Sequence, residues 1–191
     1  NNNGSWANKI VWGTSNRFNF DISFSSIGQN SYSIKPFNSK YHDIDNLFVR
    51  GGGKSVFLSQ ENGDFITSSA RVSVGRLRGW GWLFTELINT YNFNDNLSLN
   101  FNPKASFSGH ASPVGIGASL NWQMLKDISL IPEYNFAIKE STDNWTLALR
   151  FSKLKNINFD LFATNSLNFI DTGQLQRSEA KSYGFNIGFI F

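Results

Sequence analysis

The chain has 191 residues with a formal net charge of +3, and charged side chains make up only 16% of it, as do aromatic ones. This length is that of one domain, and the aromatic content excludes a disordered chain. The absence of cysteine excludes disulfides and thiolate metal sites, and no basic cluster marks a nucleic-acid surface. No apolar run approaches the ~20 residues of a transmembrane helix. We therefore expect no metal, no cofactor and no nucleic acid partner.

From the first five residues we expect no secretory signal peptide in the sequence as given. Asn1–Ser5 lack the basic and apolar regions of a signal peptide. We predict that residues 1–16 form either an extension or an additional strand, and that residues 1–191 form a single domain.

The first half of the chain alternates between apolar and polar residues with interruptions. Apolar residues occupy every second position from Phe18 to Phe24, which predicts a strand. Leu47–Leu58 has the composition of a strand broken by three consecutive glycines, and a further strand is centred on Val72. The strand that begins at Trp80 changes phase near Glu86, which indicates a bulge.

The second half alternates more regularly. One face of each segment is apolar, aromatic or proline throughout, and the other face is mostly serine, asparagine, threonine and glycine. Helical periodicity does not produce this pattern, so these segments are strands. They are residues 97–107, 114–122, 128–138, 145–151, 157–163 and 183–191. Two prolines, Pro103 and Pro132, lie inside strands and indicate bulges or altered register.

Together these patterns predict a closed, antiparallel, up-and-down transmembrane β-barrel of about ten strands, with eight and twelve as alternatives. Twelve strands would require Trp6–Trp12 to be a strand and Leu47–Leu58 to split at its glycines. The polar face lacks the lysine and glutamate content of a water-facing sheet. The uniform apolar face is what a lipid environment requires. A soluble calyx that binds an apolar ligand is the alternative architecture.

Aromatic residues and loops indicate an orientation for this barrel. Bands of aromatic side chains are typical of both membrane interfaces. Candidates for these bands are Trp80, Trp82, Trp122, Trp145 and Tyr183. Connections alternate between short turns and longer loops, which predicts periplasmic termini and extracellular long loops. Arg76 and Arg78 follow one strand at its outer end, where they could bind lipopolysaccharide phosphates.

The last nine residues resemble the carboxy-terminal assembly signal of bacterial outer-membrane proteins, which alternates aromatic residues and ends on Phe. The matching residues are Tyr183, Phe185, Ile187, Phe189 and Phe191. The resemblance implies a location in the bacterial outer membrane, insertion by the barrel-assembly machinery, and contact with outer-membrane lipids and lipopolysaccharide. It names a superfamily and leaves the oligomeric state open.

The few charges on the polar face are predicted to form one belt. Hairpin pairing sets Lys104 opposite Gly117, and Gly117 opposite Glu133. Further pairing sets Glu133 opposite Arg150, which then reaches Asp160 or its neighbour Asn158. Earlier strands could extend the belt with Arg17, Asp21 and Arg71. Charges in a narrow lumen must be paired or hydrated. Such a belt is therefore a salt-bridged plug, a charged constriction or the place of a catalytic carboxylate.

The sequence therefore predicts a non-enzymatic outer-membrane barrel. It would act as a structural or surface-contact protein, or as a narrow passive pore with a charge-paired lumen, and could be one part of a larger envelope assembly. The alternative is a barrel enzyme that acts on lipid A or peptides at the outer leaflet. Its candidate residues are His110 with Ser112, and His42 with Asp43 and Asp45.

Overall fold

The period-two alternation of the sequence becomes an eleven-stranded sheet in the computed structural model of the chain. The structure describes residues 7–15, 17–26, 47–77, 80–109, 111–154, 156–167 and 171–189. The strands are β1 (Ala7–Ser15), β2 (Phe18–Ser26), β3 (Leu47–Leu58), β4 (Thr67–Leu77), β5 (Trp80–Asn94), β6 (Leu97–Ser108), β7 (Val114–Leu125), β8 (Ile128–Lys139), β9 (Asn144–Leu154), β10 (Ile157–Ser166) and β11 (Arg177–Phe189). Two short 3₁₀ helices, Gln60–Asn62 and Asp171–Leu175, complete the regular structure of these residues.

Each strand pairs with the next one in the chain, and every pair is antiparallel. The predicted all-β, antiparallel, up-and-down architecture is therefore confirmed. In the part of the chain that the structure describes, β1 and β11 are the two edges of the sheet and are not paired with each other. Closure of the sheet into a barrel thus stays a prediction.

The strand count exceeds the predicted ten because Ala7–Ser15 forms β1, the additional strand considered for residues 1–16. The triple glycine does not interrupt β3. Gly52 pairs with Asp21 on one side and with Ser73 on the other. A Cβ atom on Gly52 would lie 2.8 Å from the Cβ atom of Ser73, so glycine is the residue that lets these strands approach.

The additional strand also changes where the described chain begins and ends. Residues 95–96 and 126–127 join strands at one end of the sheet, the turn end, and residues 109–113 and 140–143 join strands at the opposite end, the loop end. With an odd number of strands, β1 starts at the loop end and β11 finishes at the turn end. The first described strand therefore begins and the last one ends at opposite ends of the sheet, and the placement of both termini beside the short turns stays a prediction.

Burial in this sheet is inverted relative to an ordinary soluble protein. Large apolar side chains on one face, the outer face, are exposed to solvent: Val74 is 58% exposed and Phe136 is 50% exposed. On the other face, the inner face, serine, asparagine and charged side chains are buried, and Arg50 is only 1% exposed. Soluble domains normally bury large apolar side chains and expose polar and charged ones. The apolar face that the alternation predicts thus points outward.

Strand β5 departs from the predicted phase. Its pairing with β4 continues without a shift from Thr90 to Trp80, so no bulge is present near Glu86. Trp82 and Phe84 lie on the inner face with Glu86, at 9% and 0% exposure. The inner face accepts the Trp82 ring because its cross-strand neighbour is Gly75. In the sequence the alternation changes phase because Trp82 and Phe84 point to the inner face, where polar residues are the rule.

Neither proline inside a strand changes the register. Pro103 stands opposite Ile116 and Pro132 stands opposite Leu147, each in an unshifted run of paired residues. Each ring removes only one backbone donor from the ladder. The bulges that these prolines indicated are not found there.

The Asp171–Leu175 helix, the inner helix from here on, packs against the inner face. It contacts residues of β3 and β4 through Asp171, and residues of β6 and β9 through Gln174. One short helix reaches strands that are far apart in the sheet order, so the sheet curves around it. No helix in the described ranges is long and apolar enough to span a membrane.

We expect Gly75→Ala to destabilise the protein by about 1–3 kcal/mol, because overpacking forces side chains from their preferred positions. A Cβ atom at this position would lie 2.2 Å from the buried Trp82 ring. The matched control is Gly81→Ala on the neighbouring strand, where the nearest atom is 4.0 Å away. Chemical denaturation of both purified variants measures the difference, and equal midpoints would refute this account of Trp82.

Candidate functional site

A fully buried carboxylate lies at the centre of the inner face. Asp171 is 0% exposed, and its Oδ2 atom is 2.7 Å from Arg50 Nε and accepts a 2.6 Å hydrogen bond from Ser73 Oγ. Its Oδ1 atom accepts a 2.8 Å hydrogen bond from Arg71 Nη2. The backbone φ of Asp171 is 50°, in the left-handed region that aspartate tolerates better than most residues. Both oxygens are thus held by groups on β3 and β4.

A first arm of ion pairs leads from Asp171 toward the β1 edge. Arg50 Nη2 donates to Asp21 Oδ1 at 2.6 Å, and Arg50 Nη1 donates to Ser23 Oγ at 3.0 Å. Lys9 Nζ lies 3.4 Å from the second oxygen of Asp21. The guanidinium of Arg50 therefore joins two carboxylates, one from the sheet and one from the inner helix.

A second arm leads from Asp171 in the opposite direction. Arg71 Nη1 is 3.5 Å from Glu86 Oε2, and Glu86 Oε1 is 3.6 Å from Lys104 Nζ. Lys104 then lies 3.5 Å from Glu133 on β8. The Arg71 guanidinium also lies over the Phe84 ring, 5.9 Å from its centroid, in a cation–π contact.

The two arms form one sequence of charges that alternate in sign, which we call the ion-pair chain. Its members in order are Lys9, Asp21, Arg50, Asp171, Arg71, Glu86, Lys104 and Glu133. Four cations and four anions give it no net charge. Charges removed from water are tolerated only when they are paired and hydrogen-bonded. Each buried member of the chain therefore has an ion-pair partner of opposite charge on either side.

Arg150 and Asp160 form a separate pair. Arg150 Nε and Nη2 donate to the two oxygens of Asp160 at 2.8 and 2.9 Å, a bidentate arrangement between β9 and β10. Asn186 Nδ2 lies 3.5 Å from the same carboxylate. The structure thus brings together two members of the predicted belt, but at a different place from Lys104 and Glu133.

The observed register explains this division. Lys104 stands opposite Gly115, Gly117 stands opposite Asn135, and Glu133 stands opposite Thr146 rather than Arg150. The predicted pairings differ from the observed ones by two residues or more, because the turns of these hairpins differ in length from those assumed. Lys104 nevertheless reaches Glu133 over Gly117, where a Cβ atom would lie 2.8 Å from Lys104 Nζ.

The remaining predicted charged residues divide between the two ends of the sheet. Asp21 and Arg71 belong to the ion-pair chain, whereas Arg17 is exposed at the turn end. There Arg17 lines a cavity of about 260 Å³ with Leu58 and Glu61. Arg76 is exposed on the outer face near the loop end, and Arg78 lies outside the described residues.

The predicted interface aromatics are only partly on the outer face. Trp122 and Tyr183 are exposed there, Trp145 is half-buried, and Trp82 is buried on the inner face, against expectation. The side chain of Trp80 lies outside the described part of the chain. Four residues of the stretch that resembles an assembly signal are exposed on β11, while Phe191 is not described; the four are Tyr183, Phe185, Ile187 and Phe189.

Sequence reasoning missed half of the ion-pair chain: Lys9, Arg50, Glu86 and Asp171. Arg50 was overlooked because its strand was taken as broken, although it shares a phase with Gly52. Glu86 was overlooked because the phase of β5 was misassigned. Asp171 lies in the connection between β10 and β11, outside any stretch of alternating apolar and polar residues. No sequence signal places the carboxylate of such a connection on the inner face.

Hydrogen bonds and one apolar contact hold the rest of the inner helix. Lys104 Nζ and Asn144 Nδ2 each donate to Gln174 at 2.8 Å, to its side chain and its carbonyl respectively. Ser166 Oγ donates to the carbonyl of Gly173 at 2.8 Å. Leu175 is 1% exposed and fits against Gly115, where a Cβ atom would lie 2.8 Å away. The inner helix therefore fills the space between opposite parts of the inner face.

The candidate catalytic residues remain untested. His110, His42, Asp43 and Asp45 lie outside the described residues, and the Ser112 amide donates to Glu140 Oε2 at 2.6 Å. Within the described ranges, no group of three or more histidine, cysteine, aspartate and glutamate residues could hold a metal ion. No protein-family model, curated protein or solved structure matches this chain.

We expect Arg50→Met to lower the free energy of unfolding by about 3–5 kcal/mol, because it leaves buried carboxylates without their partner. The side chain of Arg50 is 0% exposed. Lys139→Met is the matched control, since Lys139 is 62% exposed and pairs with Glu140 at 3.7 Å. Exposed pairs contribute less than about 1 kcal/mol. Denaturant titration of both variants measures the contrast, and similar losses would contradict the assigned role of the chain.

Proposed function

We propose that this protein is an integral β-barrel of the bacterial outer membrane, non-enzymatic, with an interior closed by the inner helix. The observation that carries this proposal is the inverted burial. Exposed apolar side chains cover the outer face on nearly every strand, among them Ile10, Val72, Phe101, Phe136, Leu147 and Phe185. Monomeric soluble proteins rarely expose contiguous apolar patches above a few hundred Å². Lipid is the environment in which such a face is stable.

Strand length and hydrogen bonding support the same environment. The strands have 9 to 15 residues, and a tilted membrane strand needs about 9–11. Backbone groups in hydrocarbon must all be paired. The proposal therefore requires the edges β1 and β11 to be covered in the membrane, which closes the barrel.

The chemistry of the inner face argues against the alternative of a soluble calyx. A calyx for an apolar ligand would present an apolar interior. The buried residues are instead mostly polar, with only a few large apolar side chains among them, such as Trp82, Phe84 and Leu175. The ion-pair chain has no net charge and the inner helix occupies the space beside it. The resting barrel is thus a closed scaffold in our proposal, with its function carried by the envelope contacts of its loops.

The orientation follows from loop lengths and from the resemblance at the carboxy terminus. Strands β2 and β10 end, and β3 and β11 begin, at the loop end, which we assign to the outside of the cell. Arg76, exposed near that end, would meet lipopolysaccharide phosphates. The barrel-assembly machinery would recognise the exposed alternating residues of β11.

We predict that lipid quenches the fluorescence of Trp122 but not that of Trp82. Trp122 is 47% exposed on the outer face, whereas Trp82 is 9% exposed on the inner face. The measurement uses two single-tryptophan variants, with the other tryptophans changed to Phe, in vesicles of brominated phosphatidylcholine. Non-brominated vesicles are the control. Absence of quenching at Trp122, or equal quenching at both sites, would contradict the membrane proposal.

A further inference from the structure

The arginines that hold Asp171 are fixed independently of it. Arg50 is bound by Asp21 at 2.6 Å and by Ser23 at 3.0 Å, both on β2. Arg71 is near Glu86 and rests on the Phe84 ring. These contacts all come from the sheet, so the two guanidinium groups keep their positions when the inner helix is removed. A preformed pair of cations then remains on β3 and β4.

The groups around Asp171 have the composition of a carboxylate-binding site. Two arginines and one hydroxyl, from Arg50, Arg71 and Ser73, reach both oxygens of one carboxylate at 2.6–2.8 Å. Such charge-assisted contacts are typical of proteins that bind organic anions. The carboxylate that occupies the site belongs to a connection between strands, not to the sheet.

We infer that Arg50, Arg71 and Ser73 form a binding site for the carboxylate of a small organic anion, and that Asp171 occupies this site as an internal ligand. The inference rests on the proposed membrane barrel. Asp171 fills the site in the closed state, and a free carboxylate competes with it. Displacement of the inner helix then opens a passage along the inner face.

Charge counting gives the selectivity of that passage. Without Asp171 the ion-pair chain keeps four cations, Lys9, Arg50, Arg71 and Lys104, and three anions, Asp21, Glu86 and Glu133. A ring of excess positive charge in a low-dielectric constriction favours anions. The open passage therefore prefers chloride and carboxylates over cations.

Within the described residues, Asp171 makes the ion pairs of the inner helix, one with Arg50 and one with Arg71. Its replacement therefore removes both ion pairs while the hydrogen bonds of Gln174 and Gly173 remain. The test is conductance in planar bilayers under a potassium chloride gradient, for the wild type and for Asp171→Asn. Glu179→Gln is the control, since it removes one exposed carboxylate from β11.

Asp171→Asn is expected to raise the open probability roughly tenfold or more, the size of an ordinary coupling between two states. Its reversal potential should move toward that of chloride, and adding Arg71→Gln should move it back. Glu179→Gln should behave as the wild type. An inserted Asp171→Asn protein that stays closed, or that opens with a preference for potassium, would overturn the inference.

A second measurement uses the wild type, so that it does not depend on the folding of a variant. Replacing chloride by acetate at constant ionic strength should raise the opening frequency, because acetate competes with Asp171. Unchanged opening in acetate would overturn the inference. Failure of the membrane proposal itself is distinguishable, because Trp122 would then escape quenching by brominated lipid.

Discussion

The structure depends on the pairing of charges that are removed from water. Arg50, Asp171 and Lys104 are almost completely buried, and each has opposite charges within ion-pair distance. A single unpaired charge in such a place would cost several kcal/mol. The alternation of sign from Lys9 to Glu133 therefore links seven strands and the inner helix into one electrostatic unit. The removal of any member between Lys9 and Glu133 affects two neighbours, which makes the interior cooperative rather than a collection of separate bridges.

Glycines on the inner face make this interior possible. Gly75 admits the Trp82 ring, Gly115 admits Leu175, and Gly117 admits the end of Lys104. The space left by missing Cβ atoms lets large side chains lie flat against the sheet, so that the inner helix still fits between opposite strands. The outer face needs no such adjustment, because its side chains project freely. Side chains on the inner face must therefore fit closely against one another, whereas side chains on the outer face of the same strands are not constrained in this way.

Much of the architecture was predictable because strand periodicity is local. The antiparallel sheet, the apolar outer face and the pairing of Arg150 with Asp160 follow from alternation and one turn length. The rest depends on information that is not local. Trp82 faces inward only because Gly75 lies on the neighbouring strand, and the register of β7 depends on shifts near both of its ends. Asp171 is brought to Arg50 by the path of a connection between strands, which no periodicity encodes.

The most direct test of the proposed arrangement is the environment of successive side chains along β4. Nitroxide labels at residues 70 to 74 of the protein in lipid vesicles report collisions with oxygen, which partitions into lipid, and with a water-soluble nickel complex. The account predicts high oxygen accessibility at Ala70, Val72 and Val74, with low accessibility to nickel, and low accessibility to both reagents at Arg71 and Ser73. Nickel collisions at the even positions would contradict it, because the outer face would then lie in water.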